Sequence, residues 1–141
     1  MEKRIETDGW LLISKARHLM IEARKKELAP YGISPRLAHV AQGLYNLGGK
    51  ATLAELAKHS ERGRSTLSLQ LTKMEKDGLV KKIRENPKSA LKRFELTEKG
   101  VIAYKNAEEK RSVKRIMSVI SDEELQQLTL ILNKLIWEAE K

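Results

Sequence analysis

Residues 58–93 hold most of the net positive charge in this chain. Lys58, Arg62, Arg64, Lys73, Lys76, Lys81, Lys82, Arg84, Lys88, Lys92 and Arg93 face only four acids there, a net +7. The flanking stretches carry +3 (residues 1–57), +2 (94–121) and −3 (122–141). Short hydroxyl side chains, Ser65, Thr66, Ser68 and Thr72, stand among these cations. Cations neutralise phosphates and release counterions. Small hydroxyls let a backbone approach a groove and bond phosphates or base edges. The chemistry on offer is recognition of a polyanion. Ser, His and Asp occur, but in no nucleophile elbow, phosphate-cradling glycine loop or paired-carboxylate motif, so an enzyme is not expected. His18, His39 and His59 lack helical i, i+3 or i, i+4 spacing to one another, and the chain has no Cys. No metal or other cofactor is therefore expected, and no disulfide or thiol switch can operate.

The elements that must position these residues are well punctuated. A chain of 141 residues with net charge +9 suits one soluble domain. No apolar run approaches the roughly 20 residues of a membrane span. The first residues lack the apolar stretch of a signal peptide, so no membrane partner and a cytoplasmic location are expected. Leu12, Ala16, Leu19 and Ala23 predict a helix from about Gly9 to Leu28. Ser34-Pro35 caps a second helix that ends at Gly48-Gly49. Thr52 to Glu55 matches a capping box opening a short third helix. A fourth follows Arg62-Gly63-Arg64-Ser65 and ends at Asp77-Gly78. Residues 79–84 and 93–96 read as two strands around a polar Asn86-Pro87 turn. Thr97 caps a helix with apolar positions from Val101 to Ile120, one long element. Ser121 to Glu124 opens a last helix with Leu125, Leu128, Leu132 and Leu135 on one stripe.

This order is mainly α with a small β-hairpin: a winged helix-turn-helix between long terminal helices. It forms a single domain over 1–141, with the DNA-binding unit at 34–96 and flanking helices at 9–28 and 98–141. In the fourth helix Leu67, Leu71 and Met74 fall within about 60° and must face the core. Ser65, Ser68, Leu69, Thr72, Lys73 and Lys76 take the opposite side. Double-stranded DNA is the partner this face fits, with Arg62, Arg64 and Lys73 on phosphates. Ser65, Thr66, Ser68 and Gln70 are candidates for base edges, Gln70 the weakest of them because its angle brings it near the core boundary. Leu69 is either a thymine-methyl contact or a plain surface leucine. Arg84, Lys88, Lys92 and Arg93 would place the hairpin in a minor groove or along a backbone.

Thr52 to Ala57, Ser65-Thr66-Leu67-Ser68, Met74 to Val80 and Leu96 to Gly100, in this order and spacing, resemble the multiple antibiotic resistance regulator (MarR) family over essentially the whole chain. The resemblance implies a homodimeric transcription regulator, in the usual case a repressor on a pseudo-palindromic operator. It implies dimerisation through the first and last helices, and the unpartnered stripe Leu125/Leu128/Leu132/Leu135 agrees. It also implies a small, often aromatic or anionic effector. Trp10, His18, Met20, Tyr31, His39 and Tyr45 are the candidate lining residues. The sequence departs from the family in the wing, where an acid and an arginine usually stand at positions matching Lys88 and Ala90. Lys88, Lys92 or Arg93 would have to substitute. The alternative reading is a winged-helix module that docks a protein rather than DNA.

Overall fold

A computed structural model describes residues 5–60, 63–88 and 91–141. Seven α-helices are defined among them: α1 (Ile5–Leu28), α2 (Pro35–Asn46), α3 (Leu53–Ser60), α4 (Arg64–Lys76), α5 (Glu98–Glu108), α6 (Arg111–Met117) and α7 (Asp122–Ala139). A 3-10 turn at Ala29–Tyr31 joins α1 to α2. The strands are β1 (Lys50–Thr52), β2 (Val80–Ile83) and β3 (Arg93–Leu96), all antiparallel in the order β1-β3-β2.

The punctuation read from the sequence is made of real bonds. The Leu37 N–H donates to Ser34 Oγ at 3.2 Å, and Pro35 occupies the first turn of α2, where no N–H is needed. Thr52 and Glu55 bond each other reciprocally at 3.0 and 3.1 Å, as a capping box requires. Those bonds, first the Thr52 N–H and then its hydroxyl, hold the Glu55 carboxyl below its usual pKa, with the Arg93 charge adding to them. Helix α4 ends where the Leu79 N–H reaches the Met74 carbonyl and the Gly78 N–H reaches that of Glu75. Gly78 makes this possible with φ of 77°, a conformation costly for side-chain-bearing residues.

Two differences from the sequence reading stand out. First, the hairpin is the larger part of a three-stranded sheet. Residues 50–52 pair with β3 in the register Lys50↔Glu95, Ala51↔Phe94 and Thr52↔Arg93. Three residues are too short for a period-two pattern, so only the distant partner strand defines β1. Second, the single long helix after Thr97 is two helices, α5 and α6, broken at Lys110 with φ of 50°. The break is braced from α1. Arg24 donates to the Ala107 carbonyl at the end of α5 (2.6 Å) and to Glu27 (3.1 Å). Glu27 in turn accepts from the N–H groups of Arg111 and Ser112 at 2.8 and 3.1 Å, and from Ser112 Oγ at 2.5 Å. Its carboxylate thereby caps the exposed donors at the start of α6. Burial alone would raise its pKa, but the bonds from Ser112, Arg111 and Arg24 outweigh that and hold it at about 2.

One core unites α2, α4, the sheet and α5. Leu28, Leu44, Leu56, Leu67, Leu71, Met74 and Leu79 are fully buried in it. The flanking helices differ. Residues 10–19 of α1 are exposed throughout, and α7 has no buried residue, only Leu128 and Leu132 half-covered.

Candidate nucleic-acid interface

Helix α4 owes its orientation to three leucine- and methionine-filled sockets. Leu67, Leu71 and Met74 are buried, as their spacing predicted, so the opposite side is held outward. At 100° per residue the outermost ridge is Ser65, Leu69, Thr72 and Lys76. Arg64, Ser65, Thr66, Ser68, Leu69 and Lys73 are all exposed. Gly63 is the N-cap and Arg64 the first helical residue, so the free N–H groups of the first turn open beside a guanidinium. Arg62 lies outside the described residues. Gln70 is half-buried with its Oε1 unpaired, at the core edge where its angle placed it.

Two bonds on this face were not foreseen. Thr72 Oγ1 donates to the Ser68 carbonyl at 2.8 Å, which commits its proton to the helix. Lys73 Nζ lies 3.1 Å from Asp77 Oδ1, one turn on. Among the described residues, the cations of α4 without an ion-pair partner are therefore Arg64 and Lys76 rather than Lys73.

The wing divides in the same way. Lys81 pairs with Glu95 (3.3 Å), Lys82 with Glu75 (3.6 Å) and Arg93 with Glu85 (3.3 Å). Arg93 is half-buried in the central strand, opposite Thr52 on one side and Ile83 on the other, so it serves the base of the wing. Arg84, Lys88 and Lys92 are exposed and have no ion-pair partner among the described residues. Ser89 and Ala90, between them, lie outside the described residues.

A clasp that sequence reasoning missed joins α4 to the next helix. Thr97 Oγ1 accepts from the Gly100 N–H and donates to the Gly78 carbonyl at 2.6 Å, and the Lys99 ammonium reaches the Asp77 carbonyl at 2.8 Å. Gly100 packs so close to this turn that a Cβ would stand 2.1 Å from the Leu79 carbonyl oxygen. Thr97 was legible as a helix cap; its second bond crosses from another element and leaves no local signal.

The six residues predicted for an effector do not share one cavity. His18 and His39 meet in a cleft of about 730 Å³ between α1 and α2, with Arg17, Lys25 and Arg36 on its rim. Tyr31 lies on a separate groove against α5, and its hydroxyl accepts from Arg111 at 3.0 Å. Tyr45 stacks on Tyr104, ring centroids 4.5 Å apart. Trp10 stands 66% exposed near the start of α1. Met20 is half-buried in α1. Among the described residues no three His, Cys, Asp or Glu side chains gather in a way that could hold a metal ion. No described helix is long and apolar enough to cross a membrane.

The comparisons with known proteins agree with this geometry. The MarR family model matches residues 33–87. The organohalide-sensing transcriptional regulator RdhR-CbdbA1625, in its 2,4-dichlorophenol-bound form, is 30% identical, over 94% of this chain and 80% of that one, with a TM-score of 0.79. AbsC, a MarR family transcriptional regulator from Streptomyces coelicolor, is 23% identical over 99% and 97%, with a TM-score of 0.76. MepR from S. aureus, in complex with DNA, is 21% identical over 92% and 96%, with a TM-score of 0.73. The last two likenesses speak to the fold alone. A search of curated proteins gives no significant match. The buried face of α4, the wing built on β3 and the match to a ligand-sensing regulator along most of both chains converge: this chain belongs to the MarR family of transcriptional regulators.

Proposed function

We propose that the chain works as a homodimer in the cytoplasm, binding a pseudo-palindromic DNA operator as a repressor and responding to a small aromatic or anionic effector. It acts by binding rather than catalysis. The observation that carries the DNA reading is the outward face of α4. Its hydroxyls are exposed, and cations on the helix and the wing with no ion-pair partner among the described residues, Arg64, Lys76, Arg84, Lys88 and Lys92, flank them. Cations spread over a helix and a ribbon match two lines of phosphates beside a groove, with bases between. Two such helices related by a dyad would read half-sites about one DNA turn apart.

The flanking helices supply the dyad. Their units are 9–28 and 98–141 around a DNA-binding unit of 34–96. Trp10, Leu11 and Leu12 on α1 and Leu130, Ile131, Leu135, Ile136 and Trp137 on α7 are exposed in one chain, where water disfavours them. A second copy of the same surface would cover it. For the effector, the cleft that holds His18 and His39 suits an anion, because Arg17 and Arg36 on its rim outnumber its one carboxylate, Glu22, which Lys25 pairs at 3.0 Å. The dichlorophenol bound by RdhR-CbdbA1625 supports a small aromatic.

The test is binding to duplex DNA selected from a random pool, measured across a salt series. The expected result is enrichment of an inverted repeat and affinity falling steeply with salt, as several counterions leave per dimer. Binding unchanged between low and high salt, or no enriched duplex beside a stable complex with another protein, would favour the protein-docking reading instead.

A further inference from the structure

Leu69 is 73% exposed, more than any other large hydrophobic described in the lobe between the flanking helices. A lone surface leucine is ordinary. Its position is less so. It sits at the centre of the outward ridge of α4, one turn after Ser65 and one turn before Thr72 and Lys73. The cations that would seat phosphates lie to either side: Arg64 at the helix start, Lys76 at its end, and Arg84, Lys88 and Lys92 on the wing. A helix seated on phosphates at its flanks turns its middle to the base edges. The only apolar group on a base edge in the major groove is the thymine C5 methyl.

The neighbours reinforce this. The proton of the Thr72 hydroxyl is donated to the Ser68 carbonyl at 2.8 Å, so Thr72 offers DNA a methyl and an acceptor but no donor. The Lys73 ammonium is drawn to Asp77 at 3.1 Å, away from a role as a free base-reading donor. The middle of the helix is thus poor in donors and apolar at its apex, whereas the hydroxyls of Ser65 and Ser68 before it have no partner among the described residues. Resting on the DNA-binding reading above, we propose that Leu69 is a specificity-determining residue that selects a thymine in each half-site through contact with its C5 methyl. It discriminates against cytosine, which lacks that methyl and offers a donor that a leucine cannot pair.

The experiment starts from the duplex selected by the wild-type protein. Each dT of a half-site is replaced by dU, which removes only the methyl. For the wild type, one position per half-site is expected to weaken binding about fourfold, the worth of one buried methyl. Replacing both should weaken it about fifteenfold if the half-sites act independently. Leu69→Ala should bind the dT duplex more weakly and bind dT and dU equally at that position, whereas Leu69→Met, which keeps an apolar reach, should restore the difference. Both variants change one exposed residue of the ridge, and unchanged thermal unfolding would show that the fold is kept. A dU series tolerated everywhere by the wild type, or a penalty that persists in Leu69→Ala, would overturn the assignment while leaving DNA binding intact. Failure to enrich any duplex would overturn both this proposal and the reading it rests on.

Discussion

The winged lobe and the flanking helices handle the same residue types in opposite ways. In the lobe, leucines go inside and lysines outside. Leu56, Leu67, Leu71 and Leu79 are buried while Arg64, Lys76, Arg84, Lys88 and Lys92 are exposed. In the first half of α1 and along α7 the large apolar groups are outside, Trp137 at 71% exposure and Leu130 and Ile136 above half. The lobe closes its own core and leaves a charged surface for a polyanion. The flanking helices leave an apolar surface, which water disfavours and a second chain removes. The border between the two runs through α1. Residues 10–19 are exposed, Met20 to Arg24 and Glu27 are half-buried, and Leu28 is in the core. Arg24 and Glu27 stand on the lobe side of that border.

The contrast can be broken at its strongest point by charging the apolar surface. Ile131→Glu with Leu135→Glu should yield a folded monomer in sedimentation. It should lose on the order of a hundredfold or more in affinity for an inverted repeat, because the second half-site no longer binds as an intramolecular event. A dimer that survives both charges would mean that α7 is not the seam. Inside the lobe the largest single effect should come from Gly100→Ala. Its Cβ would overlap the Leu79 carbonyl oxygen, so the clasp between α4 and α5 must open. A cost of roughly 3 kcal/mol is expected in denaturant unfolding, with weaker DNA binding because the recognition helix loses its anchor.

Glu27 tests the border itself. Its carboxyl is held at about 2 against an ordinary 4.5, so folding favours its charged form. The stabilisation is fully present above the unfolded value and is lost as pH falls from about 4.5 towards about 2. Glu27→Gln should therefore cost roughly 2 kcal/mol at neutral pH, and the gap to wild type should close over that acid window. Unfolding curves at pH 7, 4 and 2.5 would show it; a gap constant with pH would mean that the carboxylate charge is not what braces α6. The smallest effect concerns the free and paired cations. Arg84→Ala should lower the salt slope of DNA binding by about two for the dimer, one per subunit, while Arg93→Ala, whose guanidinium is already on Glu85, should change the slope less. Equal slope changes would erase the distinction between them.

Much of this arrangement was readable without coordinates. Caps at Ser34, Thr52, Thr97 and Ser121, the glycine stop at Gly78 and the buried triad Leu67, Leu71 and Met74 are written in short stretches of chain, because each depends on neighbours within about one helical turn. The concentration of charge over 58–93 is likewise a property of the sequence itself. What the tertiary structure decided lies between residues far apart in the chain. Strand β1 exists only because β3 pairs with it, and the break at Lys110 is held by Glu27 from another helix. Arg93 looked like any other cation until Glu85, across the hairpin, was seen beside it. His18 and His39 meet in one cleft while Tyr31 and Tyr45 do not join them. Local backbone preference and side-chain period act over a few residues, and a sequence displays them directly. Which carboxylate ends beside which cation is settled only when the core has fixed the helices, and from there comes the division of the basic patch into charges that brace the fold and charges left free for a partner.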